Sequence, residues 1–259
     1  MAYLIGVSNE KGGVAKTTTT ISLGAVLADL NHRVLVVDLD PQANLSLAFG
    51  FEPSTVRLSM ANLLLEKVLL GKIIQPTTIP GLDLAPSSYT IAAAEKDLPS
   101  RQGYESILKN SLAGQVSVYD YVLFDCPAFL GAITMNVFSA VDLLLIPTQA
   151  EFFSIYALRN LMALVRRVRT QTNSALKYRL LLTMVDRRNK THRLMTDQLR
   201  SAFASGVMQT VIEIDTKLRE SPIAGEPIIQ HSPKSRGAQQ YRALAEEIIA
   251  FTQLDTSAN

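Results

Sequence analysis

Short runs rich in Val, Ile and Leu alternate with longer amphipathic stretches along the 259 residues of the chain. The runs at 3–8, 33–38, 82–86, 121–125, 143–147, 179–185 and 210–214 read as strands. Several are apolar at consecutive positions, as strands covered on both faces must be. The amphipathic stretches predict helices over 16–31, 59–65, 103–112, 134–140, 154–170, 192–203 and 237–251. Strands that alternate with helices in this way predict an α/β fold: one doubly wound, mostly parallel sheet with helices on both faces. No linker rich in Pro, Gly or Ser divides the chain, and no internal repeat occurs. One domain over 1–259 is expected, with only the last few residues disordered.

Composition narrows the classes. Hydrophobic residues make up 47% and charged residues 19%, with no Trp, which suits a buried sheet under helices. The single cysteine, Cys126, excludes a disulfide framework, a cysteine zinc cluster or a Cys-ligated iron–sulfur cluster built by one chain. A reducing cytoplasm is the expected home. No stretch approaches the roughly 20 apolar residues of a membrane span, and the N-terminus enters a strand with no leader pattern. Charge is uneven. Residues 1–151 hold nine Lys and Arg against 14 Asp and Glu, whereas 152–259 hold 16 against nine, so a half of net −5 precedes a half of net +7. The basic half is a candidate anion-binding face, and a solvated mixed surface is the alternative that charge alone leaves open.

The first run leads into Lys11-Gly12-Gly13-Val14-Ala15-Lys16-Thr17-Thr18 and then into a predicted helix. Small residues there let backbone N–H groups turn toward a polyphosphate while the helix presents its positive end. Lys16 adds a point charge at the β- and γ-phosphates, and Thr17 offers a hydroxyl to Mg²⁺. The ordinary pattern G-x-x-x-x-G-K-[ST] is not met, because Glu10 and Ala15 stand where its glycines belong. If position 15 needs a positive φ, its Cβ costs about 1–2 kcal/mol. Two further strand ends carry acids. Val36-Val37-Asp38-Leu39-Asp40-Pro41-Gln42 places two carboxylates before a Pro-fixed turn, and Tyr121-Val122-Leu123-Phe124-Asp125-Cys126-Pro127 ends an apolar strand on one. Both fall at carboxyl ends of strands, where open α/β sheets gather ligands.

The arrangement K-G-G-x-x-K-T, with D-x-D-P-Q and the strand ending in Asp125, resembles the deviant Walker A box, A′ box and Walker B of the ParA/MinD family of dimerising ATPases. The resemblance implies a P-loop NTPase fold, ATP and Mg²⁺ as cofactors, and a homodimer in the ATP-bound state. It implies that Lys11, Gly12, Gly13, Val14, Ala15, Lys16, Thr17 and Thr18 hold the nucleotide, with Met184 and Asp186 beside the adenine. Lys11 would act across the dimer on the partner's nucleotide. Asp40 would orient or activate the attacking water, Asp38 would support the magnesium shell and the fold of the loop, and Thr17, Asp40 and Asp125 would serve the metal, the carboxylates through water. After Asp125 the family commonly continues D-C-P-P-S-L, whereas this chain has Ala128 and Phe129.

The second half also resembles chromosomal ParA proteins, in Lys217-Leu218-Arg219-Glu220-Ser221-Pro222, Gly225-Glu226-Pro227-Ile228 and Ser232-Pro233-Lys234-Ser235-Arg236-Gly237-Ala238. By that resemblance Arg187, Arg188, Lys217, Arg219, Lys234 and Arg236 form a basic surface for duplex DNA of any sequence, and a ParB-like protein stimulates hydrolysis. Glu213 and Glu226 stand where Pro and Lys are usual. The implied function is a nucleoid-associated partition ATPase in the cytoplasm that positions DNA or another large cargo, a protein compartment included. A membrane-surface ATPase of MinD type would need a basic amphipathic C-terminus, and residues 246–255 are acidic and short. An iron-protein type is opposed by the single cysteine. A metabolic kinase would need an acceptor site, for which no motif stands out.

Overall fold

The computed structural model describes residues 1–257. Among them, β1 (Tyr3–Val7), β2 (Val34–Asp38), β3 (Gln75–Pro76), β4 (Leu82–Ala85), β5 (Tyr121–Asp125), β6 (Leu143–Gln149), β7 (Lys177–Val185) and β8 (Val207–Glu213) join in one sheet. Its order is β3-β4-β2-β5-β1-β6-β7-β8. All neighbours run parallel except β3, which lies antiparallel to β4 at one edge. The helices are α1 (Lys16–Asp29), α2 (Asn44–Ala48), α3 (Met60–Glu66), α4 (Ala94–Asp97), α5 (Ile107–Leu112), α6 (Ala132–Ala140), α7 (Phe152–Gln171), α8 (Lys190–Phe203), α9 (Lys217–Glu220), α10 (Ile228–His231) and α11 (Arg236–Ser257).

Strand side chains alternate between two cores, which is why the runs read as apolar throughout. Leu35 and Val37 of β2, Val122 and Phe124 of β5 and Leu144 and Ile146 of β6 face one layer with α3, α5, α6 and α7. Val34 and Val36, Tyr121 and Leu123, and Leu143 and Leu145 face the other, against α1, α10 and α11. In α11 the apolar stripe Tyr241, Leu244, Ala245 and Ile248 is fully buried in this second layer. No helix among the described residues is long and apolar enough to cross a membrane.

The seven expected strands and seven expected helices are present. β8 starts at Val207, three residues before the expected 210, because polar Gln209 and Thr210 interrupt the apolar run of an outer strand. The expected helix 103–112 is a 3₁₀ turn, Tyr104–Ser106, followed by α5. β3 is two exposed residues, one a proline, too short to leave a pattern. α11 runs to Ser257, and the expectation of disorder otherwise falls on 258–259, outside the described residues.

The crossovers that matter bring β1, β5 and β2 side by side. Val7 is in register with Asp125, and Asp125 with Asp38, so the phosphate loop and two acidic strand ends open together at the carboxyl ends of three central strands.

Candidate functional site

The loop between β1 and α1 is pinned before it can receive anything. Asn9, fully buried, donates from Nδ2 to the Pro147 carbonyl at 2.8 Å and accepts the Lys11 N–H at 3.0 Å. Glu10 accepts from Asn160 of α7 at 2.8 Å. Gly13 and Ala15 both adopt left-handed backbone, φ 70° and 68°. The conditional cost at position 15 therefore applies, and Ala15 holds about 1–2 kcal/mol of backbone strain. A Cβ built at Gly12 or Gly13 would meet nothing within 4 Å, so their outer faces border open space. α1 begins with no side-chain cap and no acid in its first turn. Its free N–H groups and positive end are left for an anion.

That space is a cleft of about 450 Å³, walled by the loop glycines, Lys16, Thr17 and Thr18 on one side and Asp40, Gln42, Asn44, Ala128, Phe129 and Met184 on the other. Lys16 is almost buried, its Nζ donating to the Lys11 carbonyl at 3.3 Å. Burial lowers its pKa, while the Asp125 and Asp40 carboxylates act to raise it. The Thr17 hydroxyl donates to Asp125 at 2.6 Å, and Thr20 approaches the other carboxylate oxygen at 3.4 Å. Asp125 is fully buried, and burial with the neighbouring Asp38 charge raises its pKa well above the usual carboxylate range. Asp38 accepts from the backbone of Asp40 at 3.1 Å and from the N–H and hydroxyl of Ser46 at 2.8 and 2.7 Å. Burial raises its pKa to about 7 despite those bonds. Asp38 is therefore a fastening for the 39–46 turn, whereas Asp40 is half exposed and reaches the cleft.

These groups suit a magnesium nucleotide. Thr17 and Asp125 supply hard oxygens at hydrogen-bond distance from each other, and Mg²⁺ typically takes one or two carboxylates together with substrate phosphates. No group of three or more His, Cys, Asp or Glu among the described residues could hold a metal alone.

Lys11 is turned elsewhere. Its Nζ donates to Gln149 at 2.7 Å and pairs with Glu151 at 2.6 Å. It lines a neighbouring groove with Phe153 and Tyr156 instead of the cleft that holds Lys16. Val14 is buried, its carbonyl bonded by Thr183 at 3.1 Å.

Beyond Ala15 and Thr18 the cleft continues into a pocket of about 50 Å³ bounded by Met184, Ile212, Glu213, Ile214, Leu218 and Arg219. Met184 lines it, with φ 52° and its sulfur accepting from Gln149 at 3.0 Å. Asp186 does not line it: its carboxylate is turned onto Arg188, at 3.1 Å from both Nε and Nη2, and its N–H bonds His192. Glu213 and Arg219 were not foreseen as pocket walls; the only signal was the position of their segment after the last strand.

The six basic residues are all exposed, and four are ion-paired. Arg188 pairs with Asp186, Lys217 with Glu220 at 2.6 Å, and Arg187 and Arg236 share Glu213 at 2.7 and 3.1 Å. Arg219 is at the pocket wall and Lys234 just before α11.

Residues 2–178 match the model of a family described as AAA domain. The chain is 38% identical over 251 residues to the sporulation initiation inhibitor protein Soj of Bacillus subtilis, covering 96% of this chain and 99% of Soj. It is 34% identical over 247 residues to the chromosome partitioning protein ParA of Myxococcus xanthus, covering 95% and 87%. Among solved structures, the cobyrinic acid a,c-diamide synthase of Mycobacterium smegmatis with bound ATP analog and magnesium superposes with TM-score 0.86 and 31% identity, over 98% of this chain and 96% of that one.

Proposed function

The chain belongs to the AAA-domain family of P-loop proteins and, within it, to the Soj/ParA partition proteins, and from that premise we propose that it is a single-domain, ATP-switched DNA-partition ATPase. It binds MgATP in the cleft after β1, dimerises, holds duplex DNA of any sequence through its second half, and hydrolyses slowly until a ParB-like partner speeds it. The observation that carries this reading is the split between two lysines of one loop: Lys16 lines the cleft, and Lys11 is held outside it on Gln149 and Glu151. A lysine held away from the cleft of its own chain supports the reading that it serves another subunit's phosphates.

The residues divide the work as follows. Loop and α1 N–H groups take the phosphate oxygens, and Lys16 meets the β- and γ-phosphates. Thr17, and Asp125 through water, would hold Mg²⁺, which would supply positive charge to the same oxygens. Asp40, carried to the cleft on a turn fastened by Asp38 and Ser46, accepts from the attacking water and orients it. Lys11 of the facing subunit stabilises charge on the transferring phosphoryl group as an arginine finger does. Hydrolysis then requires the dimer. A nucleoid location in the cytoplasm follows from DNA as the matrix, and burial of the α11 apolar stripe supports DNA over a membrane surface.

The test is duplex binding. The ATP-loaded chain is expected to bind unrelated duplexes alike, with log K falling by roughly 0.9 per phosphate contacted as log salt rises. Sequence-selective binding, or none at low salt, contradicts the reading.

A further inference from the structure

Arg187 follows β7, Arg236 opens α11, and both meet one carboxylate, Glu213, at the end of β8. The glutamate is 11% exposed, while the arginine side chains are 74% and 54% exposed. Its place is fixed by its own N–H, which donates to Gln240 at 2.9 Å, and by Asp215 two residues on, which accepts the Gly237 N–H at 2.8 Å. Arg236 also donates to the Ile214 carbonyl. One largely covered acid thus holds two outward-facing cations from separate elements, and it does so on the wall of the pocket that adjoins Ala15 and Thr18.

From this geometry we infer that Glu213 is a built-in competitor for DNA phosphate: its carboxylate holds Arg187 and Arg236 and lowers the affinity of the duplex-binding surface, keeping the attachment weak and reversible. The inference rests on the DNA reading above and adds to it a residue that opposes binding. A phosphate approaching either guanidinium meets a negative charge already within hydrogen-bond distance of it. Arg187 uses Nε on the glutamate, so a phosphate can add at its outer nitrogens, but the attraction it feels is that of a triad of net +1 and not of two free cations. Because Glu213 is almost buried, solvent screens it less than it would a surface acid. Removing its charge therefore adds close to one full positive charge to the surface.

Glu213→Gln keeps the shape and one acceptor oxygen. Duplex affinity of the full chain with ATP, measured by mobility shift at several salt concentrations, is expected to rise about tenfold in this variant, with the salt slope steepening by about 0.9. In an Arg187→Ala/Arg236→Ala background, the same Glu213→Gln change is expected to give no comparable gain over that background, which places the gain on these two cations instead of on a general change of fold. Wild type and variant binding alike overturns the inference and leaves the DNA reading standing. A variant that binds where wild type does not supports the inference and removes the native chain's DNA role. Neither binding at low salt overturns both. A gain that survives loss of the arginines also overturns the inference.

Discussion

Lys11 and Lys16 have the same chemistry and are five positions apart, so only their partners can tell them apart. Lys16 is enclosed by the loop, with Asp125 and Asp40 near enough to support its charge. Lys11 is bound to two side chains at the end of β6 and just after it, Gln149 and Glu151. Lys16→Ala is accordingly expected to weaken ATP binding by tenfold or more, whereas Lys11→Ala leaves ATP affinity within about twofold and abolishes turnover. Fluorescent-nucleotide titration beside phosphate release separates the two; equal loss of affinity in both variants contradicts action on a second subunit. Lys16, Thr17 and Asp125 were legible because each stands in a short motif whose chemistry is local. Gln149, Glu151 and Glu213 were not, since they reach their partners across neighbouring strands and helices from 23 to 140 positions away. Only the strand order puts β6 next to β1 and β8 next to β7.

Among elements, the register of β2 against β5 sets two carboxylates side by side, Asp38 opposite Asp125, both fully buried. An acid whose folded-state pKa lies above its unfolded one keeps its proton longer when folded. The folded chain then binds more protons between pH 4 and 7, and stability falls as pH rises through that window. Burial raises Asp38 from its ordinary 3.8 to about 7 and shifts Asp125 in the same direction. Without nucleotide or magnesium, these two acids are expected to lower the melting temperature from pH 5 to pH 8. Asp38→Asn, less stable at pH 5 through lost acceptor capacity, should show a smaller fall over the same range. An equal or steeper fall contradicts the assignment to Asp38. The strands themselves were legible because burial on both faces leaves continuous apolar runs. The short elements α2, α4, α9 and α10, of four or five residues, were not, because one turn of helix is too brief to show a period.

At the scale of the molecule, the charge division and the site belong to one arrangement. The acidic half supplies the phosphate loop, Asp40 on the cleft wall and the buried Asp38 and Asp125 behind it, and the basic half supplies the exposed arginines and lysines beside it. In the proposed dimer, two such chains facing each other across their clefts would double the basic surface, turning the weak contacts of one chain into a bivalent attachment. ATP between them would stabilise the pair until hydrolysed. The decisive property is a nucleotide-dependent dimer. Light scattering of Asp40→Ala, which keeps the phosphate contacts and lacks the water-orienting carboxylate, is expected to give the mass of two chains with MgATP and of one chain with MgADP. A mass of one chain with MgATP, at protein and nucleotide concentrations well above the nucleotide's Kd, would contradict it.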